Sequence, residues 1–142
     1  MTTTPQISDY PYHMDIQTRW NDNDIYGHIN NAIYYTYFDT LVNNFLIETG
    51  LLILNQSPII GLVVETQCQY FAPISYPTGI KSALRISKIG NSSVRYEIGL
   101  FNADTQDIFA QGHFVHVYVD TKTRRPTPLP QAMRDILQTL MP

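Results

Sequence analysis

The sequence predicts an α+β domain, with one antiparallel sheet packed on one side by a single long helix. Three observations predict it. Period-two alternation runs near the start of the chain, apolar residues at three- and four-residue steps follow, and four more strand-like segments come after them. The 142 residues fit one domain spanning 1–142. A chain of this size buries roughly 68–70% of its unfolded surface, which needs no disulfide or metal staple. No internal repeat or low-complexity stretch interrupts it.

Met1 to Pro11 is polar and reads as a loose tail. Tyr12, Met14, Ile16, Thr18 and Trp20 then alternate with His13, Asp15, Gln17 and Arg19, the pattern of a half-buried strand. A polar loop, Asn21 to Asn30, follows. It crowds the Asp22 and Asp24 carboxylates, the His28 imidazole and several amide side chains between two apolar elements.

A helix is expected over residues 31–49. Tyr34, Tyr37, Phe38, Leu41, Val42, Phe45 and Leu46 form its apolar face, and Asp39, Thr40, Asn43, Asn44 and Glu48 the opposite one. Asn30 or Asn31 supplies the N-cap, and Gly50 the stop.

Strands are expected at 59–71, 80–88, 93–101 and 109–119. Ile89-Gly90-Asn91-Ser92 forms the hairpin turn between the second and third of these. In 93–101, Val94, Tyr96, Ile98 and Leu100 face one way and Arg95 and Glu97 the other. Residues 120–142 comprise a basic, Pro-rich loop and a short helix over 131–140, with Pro130 at its start.

The formal charge of −3 exerts no general pull on nucleic acid. The single cysteine, Cys68, cannot form an internal disulfide, so a reducing, cytoplasmic setting is expected. No apolar run approaches the roughly 20 residues of a membrane span. The opening Met1-Thr2-Thr3-Thr4-Pro5 lacks the basic and apolar segments of a signal peptide, so no membrane partner is expected.

An Asp just ahead of a helix ordinarily caps it or complements its dipole. Asp24 lies several residues before the cap, which frees it for another task. The pattern Asp22-x-Asp24-x-x-Gly27-His28-x-Asn30-Asn31, followed by an aromatic helix carrying Phe38-Asp39, resembles the hotdog-fold acyl-CoA thioesterases of the 4-hydroxybenzoyl-CoA thioesterase type. The likeness continues through Val63-Val64-Glu65-Thr66-x-Cys68-x-Tyr70-Phe71-Ala72-Pro73, Ser92-Ser93-Val94-Arg95-Tyr96 and Gly112-x-Phe114-Val115.

The resemblance implies a curved antiparallel sheet wrapped around the long helix. It implies hydrolysis of an acyl-CoA to free acid and CoA, in a homodimer or homotetramer with sites at subunit interfaces. Asp24 matches the family's catalytic carboxylate, acting as nucleophile or general base. Asn31 sits where a backbone N–H at the helix start polarises the thioester oxygen, and Gly61 matches a glycine whose amide assists. His28 could hold the loop, steer Asp24 or bridge to the substrate. Asp22 could orient Asp24, bond the loop backbone or be solvated.

Glu65 is the reserve carboxylate. If it is structural, it lies near the exposed start of its strand or pairs with a basic residue. Tyr26 and Glu65 are expected to contact substrate. The CoA diphosphate is expected to meet Arg95, Lys88 or Arg124, of which the two arginines offer the better geometry.

His113 and His116 are three apart in a strand and so face opposite ways. No Cys/His set has zinc spacing, and no cofactor beyond the CoA of the substrate is expected. Cys68 reads as a small buried residue, not a nucleophile. No G-x-S-x-G elbow is present. Two other functions fit the same residues: a hotdog dehydratase or hydratase using Asp24 with His28, and a non-catalytic acyl-CoA binder.

Overall fold

The computed structural model describes residues 4–142. Five strands and two helices follow in order: β1 (Tyr12–Gln17), α1 (Asn31–Glu48), β2 (Ile59–Tyr70), β3 (Gly79–Ile89), β4 (Ser93–Asn102), β5 (Ile108–Asp120) and α2 (Gln131–Gln138). The strands form one antiparallel sheet in the order β1-β3-β4-β5-β2. This is the hotdog arrangement, with α1 lying against the concave face.

The seven residues of the predicted apolar stripe on α1 are the seven that are buried. Phe38, Leu41 and Val42 are fully enclosed, and they pack with Ile80, Leu84, Ile86, Val94, Ile98 and Leu100 from the sheet. Asn30 caps the helix, its Oδ1 accepting from the Ala32 N–H at 3.0 Å. Gly50 ends it with φ +78°, a left-handed conformation that suits glycine. Beyond β5, Met133 and Leu137 of α2 close the core together with Leu140 just after it.

Two expectations change. The residues of the tail from Thr4 onward are not loose. Ile7–Asp9 forms a 3₁₀ turn, and Tyr10, only 3% exposed, packs edge-on against Phe101. Residues 1–3 of that tail lie outside the described residues. The first strand also stops at Gln17, not Trp20. A 3₁₀ turn over Trp20–Asp22 follows it, and Trp20 is 70% exposed beside Tyr76. Asp22 causes the turn by accepting from the Arg19 N–H at 3.0 Å, which pulls the backbone out of the strand path.

The strand β2 pairs only with β5, so it is an edge. Leu62, Val63 and Val64 are exposed along it, Val64 at 60%. A register shift between Val63 and Glu65 marks a bulge. Among the described residues, no helix is long and apolar enough to cross a membrane.

Candidate active site

The loop between β1 and α1 is built around one buried carboxylate. Asp22 is fully enclosed. It accepts from Arg19 Nε at 3.1 Å, from Arg19 Nη2 at 2.9 Å and from the Tyr37 hydroxyl at 2.7 Å. Burial raises its pKa, but the bonds from Arg19 and Tyr37 outweigh that, and the carboxyl stays below the usual carboxylate range. Burial, reinforced by the bond to Asp22, pushes the Tyr37 hydroxyl up. Of the roles open to Asp22, the geometry shows the one that braces the loop backbone; solvation is ruled out by its burial.

Asp24 sits at the head of a tight turn. Its N–H donates to the His28 carbonyl at 2.7 Å, and its carbonyl accepts from the Gly27 N–H at 3.1 Å. Gly27 takes φ +80°, a left-handed conformation that glycine adopts without a Cβ clash. Asp24 Oδ1 accepts from the Tyr26 N–H at 2.8 Å and, more weakly, from the His28 N–H at 3.4 Å. Among the described residues, Oδ2 has no hydrogen-bond partner, and no cation pairs with Asp24. The carboxylate is half-buried. The turn is anchored by Ile29 N–H to Ile74 O at 2.7 Å and by Asn30 N–H to Asp22 O at 2.8 Å.

Next to the turn lies a cleft of about 280 Å³, lined by His28, Ile29, Asn31, Tyr34 and the segment Tyr70 to Pro73. Asn31 is the first residue of α1, and its N–H finds no acceptor among the described residues. Asp24 itself does not line this cleft; His28, whose carbonyl accepts from the Asp24 N–H, does. His28 is exposed, as is Tyr26. Tyr34 and Tyr70 meet edge-on at 4.8 Å, and the Tyr70 hydroxyl donates to the Asn31 carbonyl at 3.4 Å. The sequence reading puts Tyr34 in the apolar stripe and Tyr70 in the family resemblance, and assigns neither to the site. The Tyr70-Phe71-Ala72-Pro73 run at the end of a strand is the signal available for the second.

The other candidates lie elsewhere in the chain. Gly61 is nine residues from Tyr70 along β2, about 30 Å away. It pairs with Tyr118 at the sheet end that also carries Arg124, in the turn after β5. Glu65 projects from the convex face, away from α1, where Oε2 meets His113 Nε2 at 2.5 Å. Arg95 lies on that same face, bonded to Glu97 at 3.4 Å and to His113 Nδ1 at 3.2 Å. Lys88 is exposed at the bulge between β3 and β4. Within one chain, then, Asp24, Tyr26, His28 and Asn31 come together, and Gly61, Glu65, Lys88, Arg95 and Arg124 do not join them.

His113 and His116 do face opposite ways: His116 is buried in the concave face. Cys68 is half-buried, and burial pushes its thiol up, away from nucleophilic character. No group of three or more metal-ligating side chains occurs among the described residues.

A family model described as the thioesterase-like superfamily matches residues 18–137 of the chain. A solved structure of a protein from Pseudomonas aeruginosa strain PAO1 is 47% identical over 96% of each chain, with a TM-score of 0.92. A thioesterase from Thermus thermophilus, solved with coenzyme A and Zn, is 25% identical over 93% of this chain and 95% of its own, with a TM-score of 0.79. A 1,4-dihydroxy-2-naphthoyl-CoA thioesterase from Synechocystis shares the fold at 17% identity, covering 89% and 95% of the two chains, with a TM-score of 0.81. No curated protein sequence matches the chain significantly.

Proposed function

The chain belongs to the thioesterase-like superfamily, and from that membership and the geometry of its loop we propose that it hydrolyses an acyl-CoA thioester to a carboxylic acid and CoA. The observation that carries this reading is the Asp24 carboxylate. It is half-buried, held by loop N–H groups through one oxygen, free at the other among the described residues, and placed one short turn ahead of a helix start whose Asn31 N–H is unpaired.

A thioester needs little more. Its carbonyl is already activated and its thiolate leaves readily. Asp24 Oδ2 either attacks the carbonyl carbon, expelling the CoA thiolate and leaving a mixed anhydride that water then hydrolyses, or draws a proton from a water that attacks that carbon and expels the thiolate directly. The Asn31 N–H, at the positive end of α1, stabilises the oxyanion, and one such donor is typically worth about 2.7–4 kcal/mol. His28 lines the cleft beside the turn. A relative solved with coenzyme A supports the choice of thiol.

The site is completed, on this reading, by a second copy of the chain. The edge of β2 offers unpaired backbone groups and the exposed Leu62, Val63 and Val64. Antiparallel pairing of two such edges about a two-fold axis would bring the Gly61 end of one copy to the Tyr70 end of the other. Lys88 and Arg124 are exposed and would then be available to the CoA phosphates; Arg95 is engaged by Glu97 and His113. Dimers, alone or paired into tetramers, satisfy this.

The test is thiol release from a panel of short, long, branched and aryl acyl-CoAs. The natural chain should release thiol from at least one class. Asp24→Asn should slow that release roughly 10²–10⁴-fold while leaving acyl-CoA binding in place. Undiminished turnover in Asp24→Asn removes the assignment.

A further inference from the structure

One side chain at the candidate site is buried and still keeps a proton to give. Tyr34, one turn into α1, is 3% exposed. Its hydroxyl makes no hydrogen bond to another side chain among the described residues, yet it is not sealed from solvent as the two His116 ring nitrogens are. The cleft of about 280 Å³ that Tyr34 lines beside Asn31 is where it meets solvent. Burial raises the pKa of the phenol, so it is protonated at neutral pH. The backbone group that bears on its oxygen is the Ile74 N–H, directly after Pro73 of the cleft wall. That N–H donates, so the proton of the tyrosine itself is left without an acceptor. Hydroxyls in such surroundings nearly always find one.

The helix sets where that proton can be delivered. At the start of α1, the Ala32 N–H donates to Asn30 Oδ1 at 3.0 Å and the Ile33 N–H to the Asn30 carbonyl at 2.9 Å, so Asn31 holds the free N–H. Tyr34 follows three residues later, about 4.5 Å along the axis, and helical side chains lean back over the residue three or four positions earlier. The phenol therefore stands over the turn that carries the Asn31 N–H. The bond from Ile29 N–H to Ile74 O, 2.7 Å, ties the segment bearing on the hydroxyl to the residues just ahead of the helix. Tyr70 holds the ring edge-on at 4.8 Å. Apart from His28 and the Tyr70 hydroxyl, the rest of the wall is apolar: Ile29, Phe71, Ala72 and Pro73.

We propose that Tyr34 is a specificity-determining residue, donating from its hydroxyl to an oxygen carried on C3 of the acyl group, so that 3-hydroxyacyl and 3-oxoacyl thioesters are preferred over plain ones. The proposal rests on the thioesterase reading and deepens it. With the thioester oxygen on the Asn31 N–H, an acceptor two carbons along the acyl chain stays within the same helical turn; an oxygen at the far end of a long chain leaves it. Hydroxyl and keto oxygens both accept, and a protonated phenol donates. A carboxylate substituent does not match, since no Lys or Arg lines the cleft and an unpaired charge there is costly.

The experiment compares thiol release from CoA thioesters of one skeleton: the plain acyl group that the natural chain hydrolyses fastest, the same group with a hydroxyl or a keto oxygen on C3, and the same group with a hydroxyl at the end of the acyl chain. Each kcat/KM is divided by the hydroxide-catalysed rate of the same thioester, which removes intrinsic reactivity. The natural chain should favour the two C3-oxygenated thioesters roughly three- to tenfold, the worth of one neutral hydrogen bond. Tyr34→Phe should abolish that preference and leave the plain thioester within about twofold, because that substrate offers no acceptor to lose. A natural chain without the preference, or a preference that survives in Tyr34→Phe, overturns the proposal. So does an equal fall for every thioester in Tyr34→Phe, which marks a merely structural tyrosine. Should Tyr34→Phe fail to fold, the natural chain decides alone: a terminal hydroxyl favoured as much as one on C3 overturns the assignment. Absence of thiol release from every acyl-CoA removes the hydrolase reading and this proposal with it; thiol release without a C3 preference refutes only the role of Tyr34.

Discussion

The Tyr37 hydroxyl donates to Asp22 Oδ2 at 2.7 Å, joining the second turn of α1 to the loop that presents Asp24. Asp22 also accepts from the Arg19 backbone and guanidinium. The loop is therefore braced by its neighbour in sequence and by the helix it precedes, and Asp24 inherits its position from both.

Removing either end of that bond should loosen the loop. Tyr37→Phe should cost about 1–2 kcal/mol in a chemical melt, and Asp22→Ala about 2–3 kcal/mol, since it strands the buried Tyr37 hydroxyl. Both should lower thiol release more than they lower acyl-CoA binding. Unchanged melts would mean that the brace is absent in solution.

The same carboxylate sets an acid limit. Its folded pKa lies below its unfolded value, so its stabilisation is complete above the unfolded pKa of about 3.9 and is lost as pH falls through the folded value. Thermal midpoints should therefore drop as pH goes below about 4, with a flatter acid limb in Asp22→Asn. An identical acid limb in the variant would remove Asp22 from that role.

Two glycines face different obstacles. At Gly112 an added Cβ would collide with the Gln67 backbone carbonyl and lie 2.6 Å from Phe38, both fixed by the sheet and core. At Gly61 it meets a side-chain nitrogen. Gly112→Ala should thus cost at least the about 1–3 kcal/mol usual for overpacking, and more than Gly61→Ala, in denaturant titration.

Glu65 tests the reserve carboxylate. Its side chain is 57% exposed and pairs with His113 on the convex face. Glu65→Gln should leave thiol release within about twofold of the natural chain and stability within about 1 kcal/mol. A loss on the scale of Asp24→Asn would transfer the chemistry to Glu65.

How far the sequence was legible follows from which forces are local. The stripe Tyr34 to Leu46 declared its burial because helical periodicity is set by the chain itself, and Val94, Tyr96, Ile98 and Leu100 did the same at period two. Trp20 misled because the turn that frees it depends on Asp22, whose hold on the Arg19 backbone the alternation does not record. Tyr10 misled because its partner, Phe101, lies far along the chain. The exposure of Val63 and Val64 was hidden for a similar reason: it follows from β2 standing at the edge, and strand order is not written in periodicity. At the site, the Asp24 turn was readable from Gly27 and the cap at Asn30, whereas the enclosure of Asp22 needed Tyr37 of α1 to meet the loop.

The partnership of β2 with β5 has a bearing on biogenesis. Ile59 must wait for Asp120 before its register closes, so a chain emerging from the ribosome displays Ile59 to Val64 until β3, β4 and β5 have all appeared. Non-local pairing of this kind delays folding and leaves a sticky intermediate. Yield on overexpression should then hinge less on the finished fold than on how well that nascent segment is shielded by chaperones or by slower translation.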